Sequence, residues 1–132
     1  SKSDNITMTD GVKIGTNERR DDMAVNSDML RGFHDLMILF RLSHGESYGY
    51  ELSKYIRDRT NDVYTIKETT LYSSFNRLEK NGFISSFSKE ETRGRKRTYY
   101  KLTDQGKIQL EQLTEDRKTT QQILNQFILR SE

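Results

Sequence analysis

The chain has no cysteine and only two histidines, His34 and His44, among its 132 residues. Without thiols there is no disulfide framework, no thiol nucleophile and no cysteine-based metal site, a composition that suits a reducing cytoplasm. Neither histidine has a carboxylate or a second histidine at helical i, i+4 spacing, so both are expected to be structural and no metal is expected. A Walker glycine loop is missing, Gly94 alone cannot cradle a nucleotide, and Ser73-Ser74 lacks the glycine frame of a hydrolase elbow. No catalytic residue and no cofactor are therefore expected, and the chain does not read as an enzyme. No apolar run approaches membrane-spanning length and no basic-then-apolar leader opens the sequence, which implies a soluble cytoplasmic protein without a membrane partner. Since it opens on Ser1, Met8 is a candidate natural start. Apolar residues are scarce as well: 32% of the chain is hydrophobic and 32% charged. That is little for a self-sufficient core, so a partner chain is expected.

The formal net charge of +2 hides an uneven distribution. Lys67 to Lys107 carries ten Lys or Arg against five Asp or Glu, whereas the remainder carries twelve against fifteen. Within the basic region, Leu71, Phe75 and Leu78 fall within about 60° of one another on a helical wheel, the apolar stripe of an amphipathic helix. Thr69, Ser73, Asn76 and Lys80 cluster on the opposite side with Thr70 and Arg77 beside them. Short hydroxyl and amide groups let a helix approach a DNA groove, Asn and Arg pair with base edges, and Lys neutralises phosphate. Such a face is also what a merely solvated helix presents, and the residues that follow favour DNA. Asn81-Gly82 supplies a left-handed helix stop, and Phe83 to Phe87 reads as a short strand. Arg93-Gly94-Arg95-Lys96-Arg97 makes a basic turn, and Thr98 to Leu102 is β-branched and aromatic like a return strand. Four cations in five residues repel one another, and a polyanion accounts for them.

Taken in order, Tyr48-Gly49-Tyr50-Glu51-Leu52, Thr70-Leu71-Tyr72, Arg77 to Gly82 and Gly94-Arg95-Lys96-Arg97-Thr98-Tyr99-Tyr100, with Leu102-Thr103 and Gly106, resemble the PadR-type transcriptional regulators. The likeness runs from roughly Leu30 to Ile128, and its four motifs are specific as a set rather than singly. It implies a mainly α protein with a small β-hairpin: a winged helix-turn-helix plus a long C-terminal dimerisation helix, as in the family's shorter branch. It also implies a repressor, released in many relatives by phenolic acids or lipophilic compounds, some of them bound in a flat pocket at the dimer centre. Phe33, Met37, Leu113 and Arg117 are the candidates to line such a pocket. Two departures stand out. Ser73 replaces a proline common after the Leu-Tyr pair, which alters base contacts, and the absence of tryptophan removes the residue best suited to stacking on an aromatic effector.

The remaining segments are organised around this unit. Residues 1–27 are polar and poor in apolar periodicity, so they read as an arm that either crosses a partner subunit or reaches a minor groove through Arg19-Arg20. Residues 28–103 form the DNA-binding domain. Ser27 or Asp28 caps a first helix through Leu42, whose stripe of Leu30, Phe33, Met37 and Phe40 is joined by Leu36, Ile38, Leu39 and Leu42. Apolar groups on most of its circumference require cover from two sides, the chain's own core and another subunit. Ser47 is the expected cap of a second helix from Tyr48 to about Arg59, with Leu52, Tyr55 and Ile56 inward. The amides of Tyr48-Gly49-Tyr50 could meet a phosphate, or Gly49 could serve only close packing. Thr65 and Glu68 form a candidate capping box for the recognition helix. Residues 104–132 make the last helix, capped by Thr103, with seam residues Leu110, Leu113, Leu124 and Phe127 interrupted by Arg117 and Thr120.

The leading expectation is thus a homodimeric, sequence-specific regulator of transcription bound to double-stranded DNA at an inverted repeat. Thr69, Ser73, Asn76 and Arg77 are expected near base edges, and Thr70, Tyr72 and Lys80 near the backbone. Arg93, Arg95, Lys96 and Arg97 of the wing are expected on phosphate or in the minor groove. Leu30, Phe33, Met37, Leu113, Leu124, Phe127 and Ile128 are assigned to the dimer interface. The alternative is a winged-helix module that binds protein without specific DNA recognition, for which four clustered cations have no use. RNA fits less well without a stacking platform of aromatics.

Overall fold

Apolar spacing sets the framework. In a computed structural model that describes residues 27–129, α1 runs from Ser27 to Leu42, α2 from Gly49 to Arg59, α3 from Glu68 to Lys80 and α4 from Asp104 to Ile128. The expected arm lies outside the described residues except for Ser27. The chain divides into two compact units, 1–33 and 34–132; of the first, only the opening turns of α1 are described.

The core of the second unit is built from Ile38, Leu39 and Leu42 of α1, Leu52 and Ile56 of α2, Ile66, and Leu71, Phe75 and Leu78 of α3. Ile84 and Tyr100 close it from the sheet, the Tyr100 ring stacking on Phe75 with centroids 4.0 Å apart. On α1 the chain's own core thus takes Ile38, Leu39 and Leu42, leaving Met37 and Phe40 half-buried. The expected inner face of α2 holds for Leu52 and Ile56, while Tyr55 is half-buried with the Arg41 guanidinium 5.6 Å from its ring centroid.

The wing is larger than the sequence suggests. β2, Ile84–Glu90, pairs antiparallel with β3, Lys96–Leu102, in a register running from Ile84 opposite Leu102 to Glu90 opposite Lys96. A 3-10 turn at Thr92–Gly94 joins them. A third strand was not expected: Ser47 and Tyr48 form β1, paired with Tyr100 and Tyr99, giving the order β1-β3-β2.

Helix ends divide into those set locally and those set by distant contacts. Gly82 takes φ +82°, its N–H donates to Glu79 O at 3.0 Å and that of Phe83 to Leu78 O at 2.9 Å. This is the Schellman closure expected of Asn81-Gly82. Thr103 caps α4 as expected, its hydroxyl oxygen accepting from Gly106 N at 3.0 Å while its O–H donates to Gly82 O at 2.6 Å. Two expected caps are corrected. Ser47 belongs to β1, fully buried, and its hydroxyl donates to Glu51 Oε1 at 2.8 Å; the residue before α2 is Tyr48, which makes no side-chain cap. The Thr65–Glu68 box does not form either, because α3 begins at Glu68 and its capping position is Lys67 in extended backbone. Pairing with β3 decides the first case, and in the second the chain stays extended while Ile66 is drawn into the core.

Candidate nucleic-acid interface

Burying Leu71, Phe75, Leu78 and Ser74 fixes which way α3 faces. With those four inward, Thr69, Ser73, Asn76 and Lys80 are all exposed along the opposite side, and Tyr72 is 40% exposed. Thr70 and Arg77 are half-buried on one shoulder.

Both shoulders are tied down. On the wing side, Glu79 Oε2 accepts from Ser86 N at 3.2 Å and from Ser86 Oγ at 2.7 Å, so the acidic residue of this helix holds β2. Tyr72 leans over the start of α2: a Cβ added to Gly49 would lie 2.2 Å from its hydroxyl oxygen. Only glycine allows this approach. On the far side the Arg77 guanidinium is bound to Asp35 of α1, so the structure turns this side chain away from the outward face where the sequence places it. The same residue acts on His34, whose ring is buried, with Nε2 hydrogen-bonded to the Tyr64 hydroxyl at 2.6 Å. Burial first, and the Arg77 cation second, push the His34 pKa down to about 4, so the imidazole is neutral near pH 7.

The wing carries its cations in two environments. Arg93, Arg95 and Lys96 are exposed around the tip, where Arg93 and Gly94 both take left-handed backbone. Arg97 is half-buried, its guanidinium 4.1 Å from the ring centroid of Tyr48. Tyr48 in turn meets Tyr99 edge to face at 5.2 Å, and the Tyr99 hydroxyl donates to Glu91 at 2.6 Å, which raises its pKa. Lys89 pairs with Glu46 and sits 4.7 Å from the Tyr99 ring centroid. These contacts brace the hairpin just below its turn and leave Arg93, Arg95 and Lys96 charged and open. A cleft of about 320 Å³ opens between α2, α3 and β3, lined by Tyr48, Gly49, Tyr50, Tyr72, Arg97, Thr98 and Tyr100. Outward α3, the first turn of α2 and the wing therefore border one another, a polar and basic surface that can meet a strand of phosphates. Thr98 is a member of this surface absent from the sequence expectation, whereas the Tyr48-Gly49-Tyr50 motif points to the start of α2.

The other expected site residues lie elsewhere. Met37 and Leu113 are half-buried against the common core, Arg117 is half-buried one turn further along α4, and Leu30 and Phe33 are half-buried on α1. Leu124, Phe127 and Ile128 are exposed by 43%, 80% and 66%. Among the described residues no group of His, Asp or Glu side chains is placed to hold a metal, and no helix is long and apolar enough to cross a membrane.

The family model of the transcriptional regulator PadR-like family matches residues 38–112. A transcriptional regulator from Clostridium thermocellum is 49% identical, with a TM-score of 0.71 over 79% of this chain and 98% of that one. A PadR-like transcriptional regulator from Bacillus cereus is 32% identical, with a TM-score of 0.68 over 80% of this chain and all of the other. Bacillus subtilis PadR, solved in complex with operator DNA, is 27% identical with a TM-score of 0.54, covering 59% of this chain and 44% of that one.

Proposed function

This chain belongs to the PadR-like family of transcriptional regulators, which are DNA-binding proteins rather than enzymes, and we propose that it represses transcription as a homodimer seated on an inverted-repeat operator. The observation that carries this reading is the set of exposed residues Thr69, Ser73, Asn76 and Lys80 on α3, flanked by the open cations of the wing. The operator-bound relative supports duplex DNA as the partner. In this arrangement Thr69, Ser73 and Asn76 meet base edges. Lys80, Thr70 and Tyr72 face the backbone, and Arg93, Arg95 and Lys96 grip phosphate or enter the minor groove. Arg97, next to the turn but stacked on Tyr48, meets phosphate from the side of the wing that faces α2. The dimer rests on the apolar turns that α4 leaves exposed and on the half-buried stripe of α1.

Selection from random duplex DNA by the purified protein at about physiological salt tests this. The expected product is an inverted repeat whose half-sites lie one turn, about 34 Å, apart. On that duplex Asn76→Ala should cost about 1 to 3 kcal/mol and relax base preference, while Arg95→Ala should weaken all sequences alike and flatten the salt slope by about one. Equal weakening of all sites by both variants would sink the division of roles. Retention of DNA without an enriched sequence would reduce the protein to a non-specific binder, and no retention would favour a protein-binding winged helix. Release by a lipophilic or phenolic effector would act through α1 and α4, and a melting temperature unmoved by titration with phenolic acids and lipophilic cations would count against it.

A further inference from the structure

The two shoulders of α3 are held by different kinds of contact, and one of them reaches outside the helix-turn-helix and wing. Glu79 with Ser86, and Tyr72 over Gly49, join α3 to elements that themselves border the proposed DNA surface. Arg77 instead joins α3 to α1, through a carboxylate 42 residues earlier in the chain. Its side chain is 29% exposed and that of Asp35 19%, so the pair is partly withdrawn from water, where charges are screened less than at the surface. A guanidinium presents its donors in a rigid fork, so the contact fixes direction as well as distance. Close by, His34 of α1 and Tyr64, on the segment entering α3, are hydrogen-bonded at 2.6 Å with their rings stacked at 5.8 Å. Two consecutive residues of α1 thus grip both the approach to the recognition helix and its second half.

Resting on the DNA-binding reading above, we propose that Asp35 and Arg77 form a latch that sets the angle at which α3 enters the groove, with Arg77 acting through Asp35 rather than through a base edge. Helical geometry agrees. Arg77 lies roughly 70° around the helix from the middle of the outward face, on the side that faces α1. Both are positioning residues, and sequence discrimination depends on them although neither touches DNA. An arginine beside the outward face of a recognition helix would otherwise be counted among its readers.

Charge exchange separates the two roles, using the full chain, its selected duplex and a scrambled duplex of the same length. Arg77→Asp alone and Asp35→Arg alone each bring like charges together and should cut the affinity ratio of selected to scrambled duplex by about tenfold. The double variant should restore the ratio to within about threefold of the parent, with an unchanged salt slope, although position 77 is then anionic. A double variant as poor as Arg77→Asp, or one whose slope falls by about one, would mean that Arg77 contacts DNA and would overturn the latch. Asp35→Asn is the gentler check should the charge-reversed single variants fail to fold. The latch requires the ratio to drop with slope and non-specific affinity unchanged, whereas tighter binding on a steeper slope would show a released DNA contact. A parent protein without preference between duplexes would sink the DNA-binding reading and the latch with it. A parent that discriminates, beside a double variant that does not, sinks the latch alone.

Discussion

The inner face of α3 and the last turns of α4 carry the same kinds of side chain, yet Leu71, Phe75 and Leu78 are at most 2% exposed whereas Phe127 is 80% and Ile128 66% exposed. Hydrophobic burial has no directional preference and grows with the area removed from water, so chemistry alone does not separate the two. Reach does. α3 has 13 residues and sits among α1, α2 and the sheet, while α4 has 25 and extends over about 37 Å at helical rise. Leu110 and Leu113, near its start, still pack against the core. Farther along, Ile123, Leu124, Phe127, Ile128 and Leu129 find no cover within the described chain. One surface is therefore completed by the fold, and the other stays open among the described residues.

Breaking the covered surface should have the largest effect. Phe75 is fully buried and stacks on Tyr100, and Phe75→Ala should destabilise the protein by about 3 to 5 kcal/mol, read from the denaturant midpoint. A loss under about 1 kcal/mol would mean that the site collapses around the missing ring, or that α3 is held mainly by its polar shoulders.

The covered region should also be the acid-sensitive one. His34 has a folded pKa of about 4 against its ordinary 6.5, so above pH 6.5 neither the folded nor the unfolded chain is protonated there and the group contributes nothing. Between pH 6.5 and 4 the unfolded chain binds a proton that the folded chain refuses, and stability should fall by up to about 3 kcal/mol before levelling off. His34→Gln should flatten that part of the stability profile. An equally steep profile in the variant would place the acid sensitivity in the carboxylates instead.

How much of this could be read from the sequence follows the same division between local and distant causes. The buried face of α3, the stop at Asn81-Gly82 and the Thr103 cap are decided within a few residues, and each is legible in its own segment. β1 is not, because Ser47 and Tyr48 become a strand only by meeting Tyr100 and Tyr99 some fifty positions later. Ser47 consequently looked like a helix cap. The partner of Arg77 is hidden for a related reason: a helical wheel places its Cα beside the outward face and says nothing of Asp35, 42 positions earlier, to which its side chain is bound. Periodicity shows that a surface is apolar and does not name what covers it, so the stripe at the end of α4 is legible while its exposure in the fold is not.

Phe127→Ser should have the smallest effect on the chain itself and is the sharpest test of the comparison. At 80% exposure the ring contributes little to the isolated fold, so in dilute solution, where only monomer is present, the variant should match the parent within about 0.5 kcal/mol. If a second copy covers these turns, the parent's melting temperature should rise with protein concentration, since association stabilises the folded state by mass action, and that of Phe127→Ser should not. Sedimentation should then find the variant monomeric where the parent is dimeric. Its affinity for an inverted repeat should fall toward that for a single half-site, because two linked reading heads no longer share one binding event. A parent whose melting temperature ignores concentration would sever the link between the exposed turns of α4 and self-association. A monomeric variant that kept full affinity for the repeat would leave the dimer intact as an assembly but remove it from DNA recognition.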